Sequence, residues 1–332
     1  MRASDGCACG TIKGYDNEFL RSEIARLKKE KNAVIMAHYY QRDEVQEIAD
    51  YIGDSLALAQ MAAKTDADII VMCGVHFMGE TAKILCPDKK VLIPDPEAGC
   101  SLADSCPADE FAAFVAAHPD HTVISYVNTS AAVKAHTDIV VTSGNARKIV
   151  DSLPADEKII FGPDKNLGSY INEVTGRDML LWPGACHVHD RFSLEGILEM
   201  KKEHPGAKVL VHPECRRPLQ IIADKVGSTA ALLAFAKEDD AKEFIVVTEP
   251  GILREMRLAC PEKEFLPAPS EQAAIDEGKK QPECQCNLCE YMKLGTLQKV
   301  YEALLNETPE VTVDPQIAEA ALKPIQRMLS LS

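Results

Sequence analysis

Three cysteine-bearing turns are spread along this chain: Gly99-Cys100-Ser101-Leu102, Gly184-Ala185-Cys186-His187-Val188-His189, and Cys289-Glu290-Tyr291-Met292-Lys293, with Cys284 and Cys286 just ahead of the last. A structural zinc would want four ligands at short, paired spacings, and the run from Cys284 to Cys289 has three close cysteines but no fourth nearby. Thiolates suit zinc, copper(I) or iron-sulfur clusters, and a 4Fe-4S cluster normally takes four of them. If Cys100, Cys186 and Cys289 converge, one from each third of the chain, such a cluster keeps an iron without a protein ligand. That iron is a Lewis acid able to bind a substrate oxygen or nitrogen and help expel hydroxide. The chemistry expected is removal of water rather than electron transfer.

Composition bounds the class. At 332 residues the chain suits two or three small domains. Its 46% hydrophobic and 26% charged residues are ordinary for a globular protein. A formal net charge of -15 opposes nucleic acid or an anionic membrane as partner, yet a cleft lined with backbone N–H groups, His and Lys can still take an anionic substrate. Twelve cysteines in a chain this long, with no basic start and apolar core in Met1–Tyr15, point to a reducing cytoplasm. The cysteines then serve metal, catalysis or core filling. No apolar run approaches the roughly 18 residues of a membrane span.

The elements that must position these groups alternate regularly. Residues 1–15 read as a flexible tail, and Leu20, Ile24 and Leu27 then mark one face of a helix. Strands are expected at 33–40, 68–75 and 89–95, again at 122–129, 138–144, 158–164 and 179–184, and a third time at 209–214, 243–250 and 264–269, with helices between them. The stretch 43–51 reads as helix. This is the pattern of an α/β protein with parallel sheets. It divides into three similar small α/β domains, 16–108 with Cys100, 109–195 with Cys186 and 196–306 with Cys289, followed by a C-terminal helical segment at 307–332.

Matched side chains support the division. His38, Ser55 and Gly74 recur 88 positions later as Tyr126, Ser143 and Gly162, and these 86 later as His212, Thr229 and Thr248. Cys100 to Cys186 is again 86, whereas Cys289 follows after 103, which assigns the third unit an insertion at Ser270–Gln285. The period is too long for a solenoid and suits three related domains.

Ligands gather at the carboxyl ends of parallel strands, here His38, Tyr40, Tyr126, Asn128, His212 and Glu214. Ser55, Ser143 and Thr229 each precede a helix, where a hydroxyl and free N–H groups hold an anion with about 0.3–1 kcal/mol per terminus. Plainer roles exist: the hydroxyls as helix N-caps, His38 and His212 as core histidines, His187 and His189 as surface or outer groups. Glu214, beside His212 and Pro213, is less easily dismissed, because a carboxylate in a cleft is costly unless paired or used. Cys73, Cys86, Cys106, Cys215 and Cys260 have no matched spacing and read as small hydrophobes.

The runs AHYYQ (37–41), GDSLALA (53–59), CGVHFMGETAKIL (73–85), PDPEAGCSLAD (94–104), YVNTSA (126–131), CHVHDRF (186–192), VHPEC (211–215), GSTA (227–230) and CEYMK (289–293) occur in this order. In them the sequence resembles the quinolinate synthase family of NAD biosynthesis over roughly residues 20–305. The resemblance implies a pseudo-threefold arrangement of the three domains around a central 4Fe-4S cluster. It also implies condensation of iminosuccinate with dihydroxyacetone phosphate to quinolinate, phosphate and water. The cluster ligands it implies are Cys100, Cys186 and Cys289, the last chosen because it is followed by x-x-Met-Lys. The substrate-binding residues it implies are His38, Ser55, Tyr126, Asn128, Ser143, His212, Glu214 and Thr229, with Val127 and Pro213 between them and Tyr40 alongside.

In this reading Glu214, with Tyr40 and His212 near it, carries protons, work for which a tuned carboxylate contributes 10²- to 10⁴-fold. Cys284 and Cys286 form a redox-sensitive pair with each other or with Cys289. The pathway implies L-aspartate oxidase as the source of the labile imine. The competing readings are another iron-sulfur hydro-lyase and an iron-sulfur sensing protein.

Overall fold

The computed structural model describes residues 15–271 and 287–332. The expectations for the tail before Tyr15, for the insertion beyond Glu271 and for Cys284 and Cys286 lie outside the described residues.

Twelve strands form three four-stranded parallel sheets among the described residues. The first holds β1 (Ala33–His38), β2 (Tyr51–Gly53), β3 (Ile69–Cys73) and β4 (Lys90–Leu92) in the order β2-β1-β3-β4. The second holds β5 (Thr122–Tyr126), β6 (Ile139–Val141), β7 (Ile159–Gly162) and β8 (Leu180–Leu181) in the order β6-β5-β7-β8. The third repeats it as β10-β9-β11-β12, from β9 (Lys208–Val211), β10 (Lys225–Val226), β11 (Glu243–Val247) and β12 (Glu264–Pro267). Every unit is thus a small parallel α/β sheet whose winding reverses at its first strand, the place where open parallel sheets collect ligands.

The first strands are mainly apolar in their middles, Val34–Ala37, Val123–Ile124 and Val209–Val211, because helices or other units cover both faces. Successive side chains point to opposite faces, so Val34 and Met36 of β1, Ile124 of β5 and Leu210 of β9 all enter one large cluster shared by the three units. Ile35 and Ala37 face outward, under Leu20, Ile24 and Leu27 of the helix Asn17–Glu30 and Leu297, Val300 and Leu304 of the helix Leu297–Asn306. Val209 and Val211 pack with Phe192, Ile197 and Leu219, and Val123 with Phe111, Val133 and Trp182. Burying each such side chain stabilises by about 1.5–3 kcal/mol. A one-residue slip would exchange the two faces of a first strand and forfeit that packing.

The structure corrects the expectation for 43–51. The helix there covers only Asp43–Gln46, and β2 follows, paired with Met36–His38. The reason is Asp50, whose carboxylate accepts the Ile35 N–H at 2.8 Å while its own N–H donates to Ile35 O at 2.9 Å. That clamp lays the chain beside β1. It recurs with Asp138 on Val123 and Asp224 on Val209, at the same two distances, so one aspartate per unit, 88 and then 86 positions apart, sets the second strand. The second strand of the third unit, β10, is only two residues long, too short to show a period of two.

The C-terminal helix runs over Pro315–Leu331 and buries Ala321, Ile325 and Met328. It lies across β6 and the helices Ala131–Lys134 and His76–Leu85, tying the second unit to the first. Among the described residues no helix is long and apolar enough to cross a membrane.

Candidate active site

Residues at the carboxyl ends of β1, β5 and β9 line one cavity of about 720 Å³, mouth included. His38 and Tyr40 come from the first unit, Tyr126 and Asn128 from the second, His212 and Glu214 from the third. Ser55, Ser143 and Thr229 line it too, as do Cys100, Cys186 and Cys289. Val127 and Pro213 do not: Val127 packs into the shared core, and Pro213 offers its carbonyl to Gln220.

The turns that present these groups are braced from below. Gln46 Nε2 donates to Tyr39 O and Gln41 O at 2.9 Å each, and Gln220 Nε2 to Pro213 O and Cys215 O at 2.9 and 2.7 Å. Lys134, at the matched position, donates to Thr129 O. Burial lowers that lysine to about 8. Gly251 brings the third unit against this region, since a Cβ there would sit 2.7 Å from Tyr40 Cα and 2.8 Å from Tyr39 O.

The hydroxyls are not the helix caps. Asp54 caps the helix Ser55–Ala62 through Ala57 N–H, and Ser228 caps Thr229–Glu238 through Ala231 N–H, which leaves Ser55 and Thr229 facing the cavity as first helical residues. Ser143 differs from expectation: it lies in a turn, and its helix begins only at Ala146. Its Oγ instead stands 3.2 Å from His212 Nε2.

The two matched histidines are held alike. His38 Nδ1 accepts Tyr40 N–H at 3.1 Å and His212 Nδ1 accepts Glu214 N–H at 3.4 Å. Burial holds both imidazoles down to about 3, so each is neutral at pH 7 with its proton on Nε2. Burial likewise raises the Tyr40 and Tyr126 phenols well above their usual value, keeping them as donors. Glu214 is 2% exposed. Burial opposes its charge, but the imidazoles of His189 and His212 and hydrogen bonds from His189 and Tyr126 outweigh burial and hold the carboxyl well below the carboxylate range.

A chain of polar atoms leads away from that carboxylate. His189 Nδ1 lies 2.9 Å from Glu214 Oε2, His189 Nε2 lies 2.9 Å from Thr248 Oγ1, and Tyr40 Oη lies 2.7 Å from both Thr248 Oγ1 and Thr229 Oγ1. Such a chain can move a proton between Glu214 and Tyr40. Asn128 Oδ1 is buried and has no partner among the described residues, a state costing about 1–3 kcal/mol that a donor on a bound molecule would relieve.

The three thiols share a local geometry. Cys100 and Cys186 each stand at the N-terminus of a short helix, and Cys289 stands two residues before a 3₁₀ turn. Each sulfur accepts backbone N–H groups just ahead of it, from Leu102 and Ala103, from His189, and from Tyr291 and Met292. Burial pushes Cys100 up to about 12, Cys289 up to about 11 and Cys186 well above the usual thiol value. A thiolate there calls for an added positive charge, which a metal centre supplies. All eight described cysteines are free, and Cys186, His189 and Glu214 offer ligand atoms within 4.8 Å of one another. The site can therefore hold a metal.

Two buried carboxyl groups aim the cysteine turns, one of them Asp164, which burial and the nearby Glu214 push well above the usual carboxylate value. Asp164 Oδ2 accepts Cys186 N–H at 3.2 Å and Glu249 Oε1 accepts Cys289 N–H at 3.3 Å. Lys293 pairs with Glu249 at 2.9 Å and also donates to Tyr40 O. Gly184 opens the turn before Cys186, since a Cβ there would meet Pro163 O at 2.6 Å.

A sequence profile described as quinolinate synthetase A protein matches residues 22–330. The chain belongs to that family. Members similar to it include proteins named quinolinate synthase from Trichodesmium erythraeum, 55% identical over 93% of each chain, and from Synechocystis sp., 55% identical over 93% of this chain and 94% of the relative. Another from Chloroherpeton thalassium is 54% identical over 94% of each. The quinolinate synthetase A family is one of enzymes, and its match spans all three sheets.

Sequence reasoning did not single out Thr248, Asp164, Glu249 and Lys293 as site residues, and it offered His189 a surface or outer role. Thr248 had a signal, since it is the third member of the Gly74 and Gly162 set. His189 lies one helical turn after Cys186, and nothing in that spacing says whether it faces solvent or the cavity.

Proposed function

We propose that this chain is a quinolinate synthase, condensing iminosuccinate with dihydroxyacetone phosphate to give quinolinate, phosphate and water. The observation that carries the reading is one cavity shared by three thiols, one from each third of the chain, and the buried Glu214 carboxyl. It gains support from the 55% identity to proteins of that name.

In this reading Cys100, Cys186 and Cys289 hold a 4Fe-4S cluster, a fit consistent with three soft donors, their N–H···S contacts and the need for compensating positive charge. When bound, the cluster supplies a Lewis-acid iron that no protein thiolate caps. Ser55, Ser143 and Thr229, with Asn128, bind the carboxylates and the phosphate. Val127 and Pro213 contribute only the backbone of their turns. Neutral His38 and His212 donate from Nε2, the latter orienting the Ser143 hydroxyl. Glu214 takes the proton from the carbon beside the carbonyl and returns it to the former carbonyl carbon as ketose becomes aldose, while the hydroxyl proton passes between the two oxygens; in the later eliminations it carries a carbon-bound proton to the departing oxygen. Tyr40, linked through Thr248 and His189, receives or supplies protons at the other end of the relay. L-aspartate oxidase supplies the imine, and free thiols suit a reducing cytoplasm.

The test is an anaerobic assay with reconstituted cluster, reading quinolinate and phosphate together, alongside Cys289→Ser. Equal release of both from the parent chain, lost in the variant, is expected. Dehydration of a hydroxy acid with no phosphate released, or no turnover by a protein with a full cluster, would overturn the proposal.

A further inference from the structure

Cys186, His189 and Glu214 form a ligand set of their own within the cavity. His189 Nδ1 stands 3.3 Å from Cys186 Sγ and 2.9 Å from Glu214 Oε2, and all three ligand atoms fall within 4.8 Å of one another. Zinc bonds of about 2.3 Å to sulfur and about 2.0–2.2 Å to nitrogen and oxygen, at tetrahedral angles, set ligand-to-ligand edges of about 3.4–3.6 Å. The Cys186–His189 edge needs to open by about 0.2 Å and the His189–Glu214 edge by about 0.5 Å to match that figure, and the Cys186–Glu214 edge, within 4.8 Å, to close toward it. The outer partners are also in place. His189 Nε2 has Thr248 Oγ1 at 2.9 Å, the hydroxyl that a zinc-bound imidazole needs to fix its tautomer, and Tyr126 holds the other oxygen of Glu214.

We propose that the cluster-free chain binds one zinc ion through Cys186 Sγ, His189 Nδ1 and Glu214 Oε2, with a fourth position open to the cavity, and that this ion blocks cluster assembly. The ion takes the place of the proton between His189 and Glu214, which moves to His189 Nε2, and the Cys186 thiol releases its proton to solvent. Cys186 Sγ is then engaged by zinc in a ligand set that excludes Cys100 and Cys289, and the Glu214 oxygen that faced His189 is held by the ion instead of being able to exchange a proton. The site is open to the ion because all three side chains line the cavity. Zinc binding itself does not depend on the enzymatic reading; the competition does, through Cys186 as a cluster ligand.

The experiment adds zinc to anaerobic, cluster-free protein and reads its coordination by X-ray absorption at the zinc edge. One sulfur with nitrogen and oxygen neighbours is expected, and two or three sulfurs would mean that zinc sits on the cysteines together and overturn the site. Cys100→Ser and Cys289→Ser are expected to keep stoichiometric zinc, His189→Gln to lose it, and Thr248→Val to bind about 10- to 100-fold more weakly. Loss of zinc in both serine variants would refute the assignment. Zinc-loaded protein given iron and sulfide is expected to take up less cluster than zinc-free protein; uptake unchanged with zinc retained would refute the exclusion and leave quinolinate formation by zinc-free protein as a separate question.

Discussion

Tyr126 Oη donates to Glu214 Oε1 at 2.5 Å across 88 positions of sequence, joining the residue that ends the first strand of the second sheet to the turn after the first strand of the third. The bond keeps one carboxylate oxygen occupied and, with His189 on the other, fixes which face of Glu214 meets a substrate. A carboxylate so tied is held in its charged form, and it becomes a working base only when a bound substrate takes the place of one of these partners.

Glu214→Gln keeps the shape and removes the base. Turnover is expected to fall by about 10²- to 10⁴-fold while the visible absorbance of the reconstituted cluster stays. Near-normal turnover with that absorbance intact would show that Glu214 is not the base.

Tyr40→Phe removes the hydroxyl shared by Thr229 and Thr248. Each lost bond costs about 0.5–1.5 kcal/mol, so a lower urea midpoint with unchanged slope is expected, together with reduced turnover. An unchanged midpoint would mean that the two threonines find other partners.

His38 titrates at about 3 in the folded chain because burial disfavours its charge, whereas an unfolded histidine takes its proton near 6.5. The unfolded state therefore binds more protons between these values, and stability rises with pH across that window. On acidification through it, His38 alone removes about 1.4 kcal/mol per pH unit. Denaturant unfolding at pH 6 and pH 4 should show a shallower loss in His38→Asn, which keeps an acceptor for Tyr40 N–H without the titration. An equal loss in both proteins would place His38 outside the acid response.

Lys293→Met leaves the fully buried Glu249 carboxylate without its cation, and breaking a buried pair in this way costs about 3–5 kcal/mol. Because Glu249 also accepts Cys289 N–H, the variant is expected to unfold earlier and to hold less iron after reconstitution. Glu249→Gln combined with Lys293→Met should recover much of the stability, since neither charge is then stranded. Full stability in the single variant would show that Glu249 is solvated or protonated.

Much of this architecture was legible in the chain itself. Strand alternation and the 88- and 86-residue spacings, read from His38, Tyr126 and His212, foresaw three related parallel units and the residues at their strand ends. The same spacing also contained Asp50, Asp138 and Asp224, and Gln46, Lys134 and Gln220, which went unread because their side chains differ from the reacting groups and serve the backbone. Strand β2 was lost to a helical reading since three residues carry too little periodicity to compete with a run of good helix formers.

The amino-acid sequence by itself determined the kind of unit, its number of copies and which side chains stand at each strand's carboxyl end, because these depend on local periods of apolar residues and on repeats. Only the tertiary structure decided that Ser143 sits in a turn instead of at a helix start. It alone decided that Val127 faces the core and that His189, rather than being an outer group, stands between Cys186, Glu214 and a threonine 59 positions away. Those outcomes follow from three sheets sharing one apolar core: their packing brings side chains from distant parts of the chain within hydrogen-bond reach, and no local pattern specifies that distance.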